Sequence, residues 1–346
     1  MEKGIVSDRH RMFREAFPQA DIFYAVKANA AKPIVSLLNA QSCGFEVSSA
    51  RELKLVLDCG APPHRIISSN PLKRTSFIEK AYQLGIHHFA FDSEDEIDKL
   101  ARYAPGCQVY VRLSVPNDES EWPLGRKFGV ETEQAARLLL QARGRSLKPI
   151  GITFHVGSQC ASRNAWVNAI KKCSEVRQIV ERHRLKIGML NIGGGFPIEH
   201  AGSVPSILEI AQTLQTVLNQ EFPDNPRISV EPGRALVGEA GTLVSQVVAK
   251  ATRNGDRWLY LDVGVFNGLM ESMGGIKYTM STEKDGPLSR WVVAGPSCDG
   301  MDCISNEVYL PELEIGDKVR IWPAGAYTTV YASHFNGISI PKTHFI

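Results

Sequence analysis

No apolar run in this 346-residue chain approaches the length that spans a bilayer, which excludes a helical membrane protein. Cysteine never occurs in Cys-x-x-Cys spacing: the seven residues, at 43, 59, 107, 160, 173, 298 and 303, are scattered and odd in number. That excludes zinc ribbons and disulfide scaffolds. The Met1–Ala16 segment is charged and lacks an apolar signal core, so the expectation is reduced thiols in a cytoplasmic protein. Excess charge is missing too. The formal net charge is +2, and short basic clusters such as Arg9-His10-Arg11 read as solvated helix faces rather than a nucleic-acid patch. There is no low-complexity linker. What remains, 43% hydrophobic and 22% charged, is the composition of a globular protein with one large or two medium domains.

Short apolar runs then alternate with amphipathic stretches. After a leading helix near Asp8–Ala16, the runs are 22–26, 43–47, 65–68, 87–91, 108–113, 149–155, 187–192 and 227–231. Helical periodicity fills 33–40, 49–59, 74–84, 93–102, 131–144, 163–184 and 205–221. Near-continuously apolar strands separated by helices indicate a parallel sheet covered on both faces, and eight such units predict a (β/α)8 barrel. From about residue 240 helix patterns give way to β-branched and aromatic runs at 242–252, 258–262, 291–294 and 318–322. The expected division is a barrel over 1–237 and a mostly β domain over 238–346.

A barrel enzyme builds its site where its strands end. Read in order, those ends offer Lys27, Glu46, Asn70, Asp92, Arg112, His155, Gly193-Gly194-Gly195 and Glu231. Asp92, next to Ser93, reads as a helix cap. Lys27 closes the run Phe23-Tyr24-Ala25-Val26, and a lysine in an apolar pocket has its ammonium form disfavoured, which suits an imine-forming amine. The triple glycine after strand seven and Gly233-Arg234 after strand eight occupy the positions where barrels frequently bind phosphate. Ser158 is a further donor. An imine-forming lysine beside a phosphate cradle suggests pyridoxal phosphate, for which Glu231 is the candidate partner of the pyridine nitrogen and His155 a candidate to lie on the ring. The lone rim histidine and unclustered carboxylates supply too few ligands for a metal.

The stretches FYAVKAN (23–29), FHVGSQ (154–159), NIGGGFP (191–197), EPGR (231–234), GPSCDG (295–300) and GAYTT (325–329) extend over almost the whole chain. In that order the sequence resembles the ornithine/diaminopimelate decarboxylase group of pyridoxal-phosphate enzymes, with an alanine-racemase-like barrel and a β domain. Asp299 after Cys298, and LDVGVFNGLMES (261–272), are similar to the bacterial ornithine decarboxylase-like branch. The resemblance implies a homodimer with shared active sites. Lys27 carries the cofactor as an imine, His155 stacks on its ring, and Glu231 pairs with the ring nitrogen. Ser158, Gly194, Gly195, Gly233, Arg234 and Tyr327 hold the phosphate, with Glu46 and Arg112 beside the cofactor. Cys298 is the proton donor, reaching the partner subunit's site. Asp299, Glu271 and Phe335 contact the substrate, the two carboxylates favouring a cationic distal amine such as that of ornithine or lysine.

Two departures bear on this expectation. Only 26 residues precede Lys27, fewer than is usual for the group, and the acidic loop 116–122 occupies the position of the group's mobile lid. Rival readings are decarboxylation of diaminopimelate or a siderophore or antibiotic precursor, racemisation, and a non-catalytic regulator on the same scaffold. The Cys298-Asp299 pair speaks against a racemase, and the presence of Lys27, Arg234 and Cys298 against a regulator.

Overall fold

The computed structural model describes residues 1–346 apart from Leu124, Arg126 and Ala201. Ser7–Pro197 and Pro205–Gly233 form one compact unit; Met1–Val6, Ile198–Val204 and Arg234–Ile346 form a second. The chain therefore passes between units more than once, where the sequence suggested a single cut after residue 237.

The first unit is the barrel. Its strands are β1 (Asp21–Ala25), β2 (Gly44–Glu46), β3 (Ile66–Ile67), β4 (His88–Phe91), β5 (Gln108–Arg112), β6 (Lys148–Thr153), β7 (Met189–Asn191) and β8 (Arg227–Val230). All pairings are parallel, in the order β3-β2-β1-β8-β7-β6-β5-β4. A bridge from Ser68 to Phe89 closes the circle, with Ser68 N–H donating to His88 O at 3.0 Å and Ala90 N–H to Ser68 O at 2.8 Å. Each strand coincides with a predicted apolar run, because every strand must be apolar on both faces to sit inside a ring of helices.

The helices are α1 (Lys3–Ala16), α2 (Lys32–Ala40), α3 (Ala50–Asp58), α4 (Thr75–Gln83), α5 (Glu94–Tyr103), α6 (Thr132–Gly144), α7 (Arg163–Arg182) and α8 (Ile207–Glu221). Side chains begin three of them: Ser49 caps α3, Ser93 caps α5, and Ser206 with Glu209 forms a capping box on α8. Ser93, not Asp92, is thus the cap; Asp92 Oδ2 instead accepts the Gly129 N–H at 2.8 Å. α1 starts earlier than predicted. It turns His10 inward, so Arg9-His10-Arg11 is not wholly a solvated face. The acidic loop 116–122 also departs from expectation, since Ser120–Trp122 pairs antiparallel with Ser158–Cys160.

The second unit holds a six-stranded sheet. Its strands are β9 (Leu243–Arg253), β10 (Asp256–Leu261), β11 (Thr279–Ser281), β12 (Ser289–Ala294), β13 (Cys303–Leu310) and β14 (Lys318–Trp322), ordered β11-β14-β9-β10-β12-β13. Four pairings are antiparallel and β10–β12 is parallel. Trp291, Leu243, Val247, Leu259, Leu261, Val319 and Ile321 fill its core. The chain ends meet in this unit: Lys3 N–H donates to Ile346 O and Ile346 N–H to Met1 O, each at 2.9 Å. No described helix is long and apolar enough to cross a membrane.

Candidate active site

Side chains with chemistry converge where the barrel strands end. β1 runs into a short 3-10 turn, Val26–Ala28, and Lys27 stands on that turn rather than in the strand. Its Nζ donates to Glu46 Oε2 at 2.7 Å; the Lys27 side chain is 45% exposed, that of Glu46 only 1%. The apolar pocket expected around this lysine is therefore absent, and a carboxylate placed to accept its proton stands there instead. Glu46 Oε1 accepts from Ser48 Oγ at 3.1 Å, so both carboxylate oxygens are engaged.

Glu231, directly after β8, is buried. Its Oε1 accepts from Ser69 Oγ and Asn191 Nδ2. Ser69 Oγ lies 2.8 Å from Tyr110 Oη, and Asn191 Oδ1 accepts the Gly193 N–H at 2.9 Å. Burial and then the Glu46 charge push the Glu231 carboxyl above the usual range, against the pull of Lys27 and the two donors. Both donors sit on Oε1, which leaves Oε2 to meet a ring N–H.

His155 follows β6. Gly157 N–H donates to its Nδ1 at 3.0 Å, so Nδ1 carries a lone pair and Nε2 the proton of a neutral ring. Burial, then the charges of Arg112 and Lys27, pull its pKa down to about 3. Arg112, the last residue of β5, packs its guanidinium 5.7 Å from the Phe128 ring centre. Burial works against its charge, and Glu231, Asp92 and Glu46 support it. Asn70 is a turn residue, its Oδ1 accepting from Leu72 N–H at 3.2 Å.

The glycine loop is shaped for close approach. Gly193 and Gly195 have φ of +67° and +94°, and a Cβ on either would strike a backbone carbonyl, that of Phe154 or Gly157. A Cβ on Gly194 would lie 2.6 Å from Glu231 O. Cys160 N–H donates to Gly195 O at 3.0 Å, which brings the loop carrying Ser158 against the triple glycine. Pro232 O accepts from Ala25 N–H at 3.1 Å, tying the buried Gly233 turn to the end of β1. A bare-backbone cradle, a buried carboxylate with an open oxygen, a neutral imidazole and an accessible lysine amine together fit pyridoxal phosphate.

In the second unit the remaining candidates fall into two groups. Arg234, opening the short helix Arg234–Val237, makes a two-pronged pair with Glu271, Nη1 to Oε2 at 2.8 Å and Nη2 to Oε1 at 2.5 Å. Its guanidinium lies 5.1 Å from the Tyr327 ring centre. Glu271 is 4% exposed, so the substrate-facing carboxylate expected from the sequence is instead a partner of Arg234. The other group is exposed. Cys298 N–H and Sγ both lie on Asn336 Oδ1, at 3.1 and 3.2 Å, and Phe335 packs 4.8 Å from Phe266. Asp299 follows on the same loop. Buried Asp302 pins it, accepting from Val265 N–H at 2.7 Å and Ser297 N–H at 2.9 Å.

Sequence reasoning missed Ser69, Tyr110, Asn191 and Asp302. Of these only Asn191, inside the glycine motif, carried a signal. Among the described residues no group of three or more His, Cys, Asp or Glu is placed to hold a metal ion.

Comparison with known proteins gives a consistent result. The family profile of the pyridoxal-binding domain of pyridoxal-dependent decarboxylases matches residues 3–238. The lysine/ornithine decarboxylase of Selenomonas ruminantium is 34% identical over 342 residues, 98% of this chain and 86% of that protein. Antizyme inhibitor 2 of Xenopus laevis is also 34% identical, over 99% of this chain and 79% of its own length. The crystal structure of the Vibrio vulnificus lysine/ornithine decarboxylase complexed with cadaverine superposes with a TM-score of 0.93 at 31% identity, covering 100% of this chain and 93% of that one.

Proposed function

Because the chain belongs to the pyridoxal-dependent decarboxylases, we propose that it removes the α-carboxylate of ornithine or lysine to leave the diamine. When bound, pyridoxal phosphate supplies the electron sink for the bond that breaks as carbon dioxide leaves. The observation that carries this reading is the convergence of Lys27, Glu46, His155 and Glu231 beside the triple-glycine loop.

Each residue then has a task. Glu46, 2.7 Å from Lys27 Nζ, accepts the proton the lysine must lose to become a nucleophile. The Glu231 carboxyl, pushed up by burial, keeps a proton shared with the ring nitrogen, and Ser69 and Asn191 fix its orientation. Neutral His155 offers a flat face without a competing charge. The N–H groups of Gly194 and Gly195, with Ser158 and Gly233, hold the phosphate. Arg112, its charge supported by Glu231 and Glu46, stands beside the cofactor.

Cys298 and Asp299 complete the site in a homodimer, each subunit's exposed loop serving its partner. Cys298 returns a proton to Cα, and Asp299 receives the distal ammonium through a charge-assisted hydrogen bond. Phe335 lines the same approach. The names of the relatives support a basic substrate, since both decarboxylases reported above are lysine/ornithine enzymes. The presence of Lys27, Arg234 and Cys298 supports catalysis over a purely regulatory role. The test compares kcat/KM of D299A on ornithine and on norvaline, which lacks the distal amine. The preference for ornithine should fall at least about tenfold, as loss of one charge-assisted contact implies; an unchanged ratio removes Asp299 from recognition.

A further inference from the structure

The opposite end of the barrel carries a second concave site. The N-terminal ends of β1, β2, β3 and β8, together with α1, line an open cleft of about 200 Å³. Arg14, Arg65, Arg227, His10 and His64 line it, against one carboxylate, Asp21. Three guanidinium groups facing one carboxylate leave two positive charges in excess even with both histidines neutral.

Arg65 and Arg14 are held by uncharged acceptors, and Arg227 is paired with Asp21. Arg65 Nη2 donates to Asn39 Oδ1 at 2.9 Å, and its Nη1 to the Cys43 and Asn39 carbonyls at 3.3 and 3.5 Å, all uncharged acceptors. Arg14 Nη1 makes one contact, with Ala20 O at 3.4 Å. Arg227 bonds Asp21 through Nε, which leaves its terminal nitrogens for another acceptor.

The free donors face the cleft from more than one element: Arg14 on α1 and Arg227 at the start of β8 are both exposed. The volume sets the size of a ligand. Pockets for drug-sized ligands begin near ~300 Å³, so this one suits a single tetrahedral group rather than a nucleotide.

We propose that this pole of the barrel binds a small oxyanion of the phosphate class, with Arg14 and Arg227 as donors and Arg65 as a fixed charge. Guanidinium forks match such oxygens in pairs. The site is distinct from the glycine cradle, which lies at the strands' other ends.

The experiment uses protein already loaded with pyridoxal phosphate, so that the cradle cannot take up the probe. Inorganic phosphate is titrated in at low ionic strength and binding is read by calorimetry. A saturable isotherm is expected in the wild type. R14E, on an exposed side chain that folding tolerates, should weaken binding by at least about tenfold. R227Q, which removes a second guanidinium fork from an exposed side chain, should weaken it as well. The cofactor's visible band and the turnover number should stay unchanged in R14E. No saturable binding to the wild type, or binding that both variants leave intact, overturns the proposal.

Discussion

At the scale of single residues, the site depends on charges that are countered before any cofactor arrives. Lys27 has Glu46, and Arg234 has Glu271 on both terminal nitrogens. The second pair is buried on both sides, so removing one partner strands the other charge. E271Q should therefore lower the stability of cofactor-free protein by about 3 kcal/mol, measured by urea unfolding. A loss under ~0.5 kcal/mol would show that Arg234 finds equivalent partners elsewhere. Lys27, His155 and Glu231 were legible in the sequence because each follows an apolar run where a hydrophobic residue would be the default. Ser69 was not, since its role depends on a contact with Glu231, 162 residues away, that only barrel closure creates. Glu271 was misread for a similar reason. An acidic residue read from the sequence says nothing about which cation packs against it. Lys27 was found for a reason the structure does not support, because its surroundings are carboxylate and solvent rather than apolar wall.

At the scale of elements, the barrel could be read because its strands are buried on both faces and its helices on one, which leaves two distinct periodicities. Of the strands missed in the six-stranded sheet, β11 is three residues long and mostly polar, and β13 breaks its apolar residues with Ser305-Asn306-Glu307, so neither pattern marks them. The loops carry the chemistry, and the one after β7 is the most constrained. Gly195 combines φ of +94° with a Cβ position blocked by Gly157 O. G195A should cost about 1–3 kcal/mol of stability and displace the loop that carries Ser158. Affinity for pyridoxal phosphate, followed by absorbance titration, should fall at least about tenfold. Wild-type affinity in G195A would remove this loop from the phosphate site.

At the scale of the whole molecule, two desolvated histidines tie folding to pH. Burial pulls His155 to about 3 and His200 to about 4, both from 6.5. Between those values and 6.5 the unfolded chain binds protons that the folded chain refuses, so stability falls as pH drops through that window. Glu231 acts in the opposite sense. Its raised carboxyl keeps a proton in the folded state, so its contribution is lost as pH rises above the usual carboxylate range. H155N should flatten the acid side of the stability profile of cofactor-free protein, as seen in Tm from pH 7 to pH 4.5. A profile parallel to wild type would mean that His155 titrates normally.

The most direct test of the whole account is product analysis. Protein loaded with pyridoxal phosphate is incubated anaerobically with ornithine, lysine and a panel of other basic and acidic amino acids, and mass spectrometry follows each. The account predicts that ornithine or lysine loses carbon dioxide and appears as its diamine, and that K27A shows neither product nor the visible imine band. Turnover in K27A at the wild-type rate, or an imine band in the wild type with every amino acid left intact, would contradict it.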